Sequence, residues 1–257
     1  MLSVENVSFA YGAHEKPVFR GLNLTVSKGS WVLITGLDGS GKTTLCKLLK
    51  GLLQPLSGTI RYDFSGQELI GYLGGDPYDS LVGISVAEDV IFGLENLGLS
   101  QKEMEKRLEQ ALRWTGLSGM EERLVHTLSG GEQQKLALAG ALAMGAVVVI
   151  LDEALNMVDR SSRSGIRRLL EHLRRVHDLT IIEAGHQFHH LMDRIIFLAD
   201  RDVFVDGSPE LFRSSQMGGK WIEFMGGFEA FRQAVLRWPG PTRARDALLD
   251  FIMTIDR

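Results

Sequence analysis

WVLITGLDGSGKTTLCKLL, residues 31–49, is the stretch on which the fold turns. Trp31 to Thr35 is a continuous apolar run of strand length, as expected of a strand covered on both faces. It stops at a glycine-rich segment, and a helical pattern runs on from Lys42 to Leu52. Strand, loop and helix in that order satisfy the phosphate-loop pattern over Gly36, Leu37, Asp38, Gly39, Ser40, Gly41, Lys42, Thr43 and Thr44. The glycines let successive backbone N–H groups turn inward, and the helix N-terminus adds positive potential for phosphates. Lys42 is expected to hold the β- and γ-phosphates, and the Thr43 hydroxyl to ligate Mg2+. Asp38 would repel a polyphosphate if it faced inward, so it is expected to face solvent.

Working outward, Val147 to Leu151 (VVVIL) reads as a second buried strand, ended by Asp152 and Glu153. One carboxylate there can reach Mg2+ through water while the next points at the water that attacks the γ-phosphate. The plainer reading is a cap on the following helix. Strands are also expected where apolar residues alternate at Leu2 and Val4, then at Val7 and Phe9, and over Leu22 to Val26, Gly58 to Tyr62, Ile70 to Leu73, Thr180 to Glu183, Arg194 to Leu198 and Val203 to Val205. Residues 85 to 145 read as a helical insertion, and Arg160 to Arg175 as an amphipathic helix. Alternating strands and helices predict an α/β fold with a mostly parallel sheet covered on both faces.

Of 257 residues, 44% are hydrophobic and 23% charged, enough apolar material for one substantial core with an inserted subdomain. The net charge of -4, with signs interspersed, disfavours nucleic acid as the partner. A single cysteine, Cys46, excludes an internal disulfide framework and fits a reducing cytosol. No secretory signal opens the sequence, and the apolar stretch from Leu136 to Leu151 is too short to span a bilayer. Any association with a membrane is therefore expected to run through partners.

Leu128 to Gln134, LSGGEQQ, is where the chain resembles the ATP-binding-cassette (ABC) family in particular. Ser129 with the Gly130 and Gly131 amides at a helix start would make a second anion site, out of reach of Lys42 in the same chain. A capping box from Ser129 to Glu132 explains those two residues but not the glycines. The resemblance implies a P-loop NTPase, ABC-type ATPase domain with a mostly parallel core sheet, an antiparallel β subdomain and an inserted α-helical subdomain, over residues 1 to 213. It also implies ATP and Mg2+ bound between two such subunits, in a homodimer or heterodimer. His186 then takes the place of the family's switch histidine, although His186, His189 and His190 also have the spacing of a metal cluster on one helix face. Tyr11, in FAYG, resembles the aromatic that stacks on adenine, with a core tyrosine as the alternative. Asp159 resembles the loop aspartate that couples the two sites, and alone would be a helix cap.

One departure stands out. Gly75 occupies the position where the family carries a glutamine that touches Mg2+ and the water, and no glutamine occurs between Gln67 and Gln101. This implies a subunit that works beside a complete paralogue or hydrolyses ATP slowly. VENVSFAYG (4–12), GLLQPLSG (51–58), EDVIFGLENLGLS (88–100) and LALAGALAM (136–144) resemble the ATPases of energy-coupling-factor transporters, over residues 2 to 212. That resemblance implies an importer for a vitamin or transition-metal ion at the cytoplasmic face of a bacterial or archaeal membrane. Its partners would be a transmembrane coupling subunit, docked beside Gly75 to Ser80 where Asp76 and Asp79 would receive arginines, and a substrate-binding membrane subunit. Residues 214 to 257 read as a C-terminal helical extension that either joins the two ATPases or packs on its own domain. The alternative class is a soluble, non-transport ABC ATPase. A P-loop kinase fails, because LSGGEQQ would have no task in it.

Overall fold

A computed structural model describes residues 1–12, 15–63, 69–156, 158–199 and 202–210. The extension expected at 214–257 lies outside the described residues. Three strands form an antiparallel sheet in the order β2-β1-β4: β1 (Leu2–Phe9), β2 (Phe19–Val26) and β4 (Ser57–Tyr62). Six form the core sheet in the order β5-β6-β7-β3-β8-β9. They are β3 (Trp31–Gly36), β5 (Leu69–Leu73), β6 (Ala146–Asp152), β7 (Thr180–Ala184), β8 (Arg194–Ala199) and β9 (Asp202–Gly207). Every pairing in the core sheet is parallel except β8 with β9.

Side chains of a strand alternate between faces, and the apolar runs of the parallel strands supply both. Trp31, Leu33, Val149, Leu151, Ile181 and Phe197 pack on one side with Ile166, Leu170 and Leu173 of α5 (Arg160–His177). Val32, Ile34, Val148, Ile150, Ile182 and Ile196 pack on the other. There they meet Leu45, Leu48 and Leu49 of α1 (Lys42–Lys50) and the inner face of the antiparallel sheet. A third core is closed by Val86, Val90 and Leu94 of α2 (Val86–Glu95), Ala111 and Leu112 of α3 (Gln101–Thr115), and Leu136, Ala139 and Ala143 of α4 (Gly130–Ala143).

The sequence pattern of β1 breaks between Val4 and Val7, and the structure gives the reason. Asn6 has φ 51, the pairing of β1 with β2 shifts register there, and the Asn6 N–H donates to Asn23 Oδ1 at 2.9 Å. This bulge returns Val7 and Phe9 to the buried face. The strand order matters most for function. Neighbouring β6, β7 and β3 are parallel, so their C-terminal ends deliver three loops to one edge of the sheet, the usual ligand-binding edge of such sheets.

Candidate active site

The loop after β3 closes on α1 at Gly41, whose φ of 101 and crowding against Phe19, 2.7 Å from an added Cβ, admit only glycine. Lys42 is buried, and its Nζ donates to the carbonyls of Gly36 at 3.0 Å and Leu37 at 3.1 Å. These contacts coil the loop around the ammonium. Thr43 Oγ1 donates to Asp152 Oδ1 at 3.0 Å, joining the phosphate loop to the end of β6. A hydroxyl beside a carboxylate is a pair of hard oxygen donors that suits Mg2+. Residues Tyr11, Val18, Asp38, Gly39, Lys42, Thr43, Thr44 and Glu153 line an open cavity of about 350 Å³, which is room for a nucleotide.

Glu153 has φ 57, in the left-handed region, a conformation that costs a non-glycine residue about 1–2 kcal/mol. Its N–H donates to the Ala184 carbonyl at 3.1 Å, which locks the turn, and its Oε2 accepts from Asn156 Nδ2 at 3.3 Å. The strained turn directs the carboxylate into the cavity instead of along the strand. The Asp38 side chain is 84% exposed, but it lines the cavity instead of facing away from it, with Oδ1 3.6 Å from Lys42 Nζ and 3.4 Å from His186 Nε2.

His186 follows β7 and meets this cluster. Burial, and next the positive charge of Lys42, hold its imidazole below the ordinary histidine range, against the pull of Asp38 and Glu153. The ring is therefore neutral at pH 7. A depressed value also means the proton binds late on acidification. Hydrolysis is expected to stay level down to about pH 6.5 and fall only below it, and a pH profile in which His186→Ala abolishes the acid limb checks this. His189 does not join it. Its Nε2 meets Glu183 Oε2 at 2.9 Å and its ring packs edge-on to Trp31. Among the described residues no three His, Cys, Asp or Glu side chains converge as metal ligands.

Glu183, at the end of β7, went unread in the sequence. Burial would raise its carboxyl, but His189 and then Arg167, at 2.5 Å, outweigh that and keep it below the usual range, with Trp31 Nε1 donating at 3.1 Å. Arg163 was also missed: it donates to Gln187 Oε1 at 2.6 Å and to the Val158 carbonyl at 2.7 Å, tying the loop after His186 to the loop after Glu153. No local pattern announces such pairs, which depend on which strands are neighbours.

Tyr11 is 57% exposed, which excludes the core reading. Its hydroxyl shares a hydrogen bond of 3.0 Å with Thr44 Oγ1, holding the ring beside the phosphate loop. Asp159 caps α5, accepting from the backbone and hydroxyl of Ser161 and from the Ser162 N–H, and these bonds pull its carboxyl far below the usual range.

Ser129 caps α4 in a reciprocal box with Glu132, which Arg123 pairs at 2.9 Å. The two glycines after it part company. A Cβ at Gly131 would fall 2.8 Å from Ser162 Cβ, so the close approach of α4 to α5 also requires a glycine there, a packing reason that the capping box does not supply. Gly130 has nothing within 4 Å of an added Cβ and remains open at the helix start.

A groove is present, but of the segment Gly75 to Ser80, beside which it was expected, only Ser80 lines it. It has a volume of about 430 Å³, lies at the edge strand β5, and is walled by Lys50, Tyr72, Val82, Phe92, Ala141 and Met144. Asp76 Oδ1 already accepts from the Tyr78 N–H at 2.9 Å, capping the 3-10 turn Pro77–Ser80. The Asp79 side chain lies outside the described residues. At Gly75 an added Cβ would meet only the Asp152 and Glu153 carbonyl oxygens, both at 3.9 Å, so space for a side chain exists.

The model of the ABC transporter family matches residues 19–156. Energy-coupling factor transporter ATP-binding protein EcfA1 of Ligilactobacillus salivarius is 35% identical over 223 residues, 82% of this chain and 78% of that protein. EcfA1 of Streptococcus pyogenes serotype M5 is 34% identical over 222 residues, 82% of this chain and 80% of that protein. The structure of cbiO1 from Clostridium perfringens, part of the ABC transporter complex cbiONQ, superposes with a TM-score of 0.72 at 27% identity, covering 100% of this chain and 98% of that one. The chain belongs to the ABC transporter family, as an ATPase of the energy-coupling-factor kind.

Proposed function

We propose that this chain energises an importer for a vitamin or a transition-metal ion by hydrolysing magnesium ATP in the interface between two cassettes. The observation that carries the reading is the meeting of Lys42, Thr43 and Glu153 at one cavity, with Asp152 joined to it by the 3.0 Å bond from Thr43. Thr43 and Asp152 would hold Mg2+, which when bound offsets phosphate charge. Lys42 and the loop amides bind the triphosphate. Glu153 accepts the proton of the attacking water, and neutral His186 orients that water. The Tyr11 ring supports adenine. Ser129 and the Gly130 amide supply donors to the nucleotide held by the second subunit, with Asp159 beside them at the start of α5.

The transport part rests on the groove. Leu52, Tyr78, Val82, Ile84 and Phe92 stay about half or more exposed, an apolar surface of the kind that marks a protein partner. No helix among the described residues is long and apolar enough to cross a membrane. In this reading the chain is attached through a transmembrane coupling subunit seated in that groove, with a substrate-binding membrane subunit beyond it. In fractionated cells expressing the full transporter at native level, the chain is expected in the membrane pellet and released from it by alkaline wash. Recovery wholly in the soluble fraction contradicts the importer reading.

A further inference from the structure

Asp152 is held by two hydroxyls, and only one comes from the phosphate loop. Thr43 Oγ1 donates to Oδ1, and Tyr72 Oη donates to Oδ2 at 2.7 Å. The reach follows from register. In the parallel pair β5 and β6, Tyr72 lies opposite Ile150. Ile150 and Asp152 share a face, because side chains alternate, and one residue pair advances about 6.6 Å along a strand. A tyrosine leaning along β5 spans that step and brings its phenol to the carboxylate, where a shorter side chain stops short. The ring also walls the groove at β5. Gly75, three residues later, contributes no side chain.

We propose that Tyr72 is a positioning residue for the Mg2+-binding carboxylate of Asp152, so that β5 serves the metal site through a phenol in a chain that lacks the side chain at Gly75. With Oδ2 fixed by the phenol, Oδ1 is kept toward Thr43. Without it the carboxylate is held by Thr43 alone, and metal binding must also fix its orientation. Removing such an outer partner of a metal ligand typically weakens metal affinity about 10–100-fold. The inference rests on the magnesium ATP reading above, and the test separates the two.

Mn2+ serves as the probe, titrated by electron paramagnetic resonance into the full chain with saturating ATP, alongside metal-free ATP affinity and thermal midpoint. Tyr72→Phe keeps the ring in the groove wall and deletes only the donor. It is expected to weaken Mn2+ binding about tenfold or more, with metal-free ATP affinity and midpoint unchanged. Replacing Tyr72 with 4-aminophenylalanine, which restores a donor on the same ring, is expected to recover most of the loss. Mn2+ affinity within about twofold of the parent in Tyr72→Phe, or no recovery with the amino analogue, overturns the inference. A parent chain that binds ATP but retains no Mn2+ overturns both the inference and the magnesium ATP reading.

Discussion

Glu153→Gln is expected to leave ATP binding within a few-fold of the parent and to cut hydrolysis by about 10²–10⁴, the contribution of a general base. The substitution keeps the side-chain shape, the backbone bond from residue 153 to Ala184 and an oxygen for Asn156, so the turn at φ 57 survives. What it removes is the capacity to take a proton. Single-turnover hydrolysis and nucleotide affinity, measured together, separate the two. A variant that still turns over at the parental rate would leave Glu153 as a helix-start residue only and shift the base elsewhere.

The second large effect is expected at Ser129. Ser129→Arg places a bulky cation at the open start of α4, beside Gly130, while Lys42, Thr43 and Asp152 remain as they are. Loss of the cap costs about 1 kcal/mol, too little to unfold a domain of this size. ATP should therefore bind each monomer with near-parental affinity. Hydrolysis should fall about 10²-fold or more, because the donors that stabilise transition-state charge from the second subunit are displaced. In the Glu153→Gln background the same change should abolish ATP-induced doubling of the mass seen by light scattering.

The sequence carried the local chemistry well and the spatial chemistry poorly. The phosphate loop, the paired carboxylates after VVVIL and the capping box at Ser129 are each written within a few residues, and their contexts of strand, turn and helix are local too. The helical insertion was legible as a whole, while its breaks at Asn96 to Ser100 and from Gly116 to Ser129 appear only in the fold. The Asn6 bulge hides in an interrupted alternation that reads equally as two short strands. Gly131 has a packing reason in the position of Ser162 on α5, which its local motif does not announce. Tyr72, Glu183 and Arg163 were invisible because each acts on a residue 16 to 80 positions away or ties loops that only the strand order brings together. The order β5-β6-β7-β3 cannot be counted off from a single chain, and it decides those contacts.

Behind both large effects stands one arrangement, in which a triphosphate is shared by two chains. Its most direct measurement is the separation between the Ser129 hydroxyl of one subunit and the γ-phosphate bound at Lys42 of the other, in a crystal of Glu153→Gln grown with ATP and Mg2+. The account predicts a hydrogen bond, about 3 Å. A closed pair in which every Ser129 still bonds Glu132 alone, far from any phosphate, would contradict it.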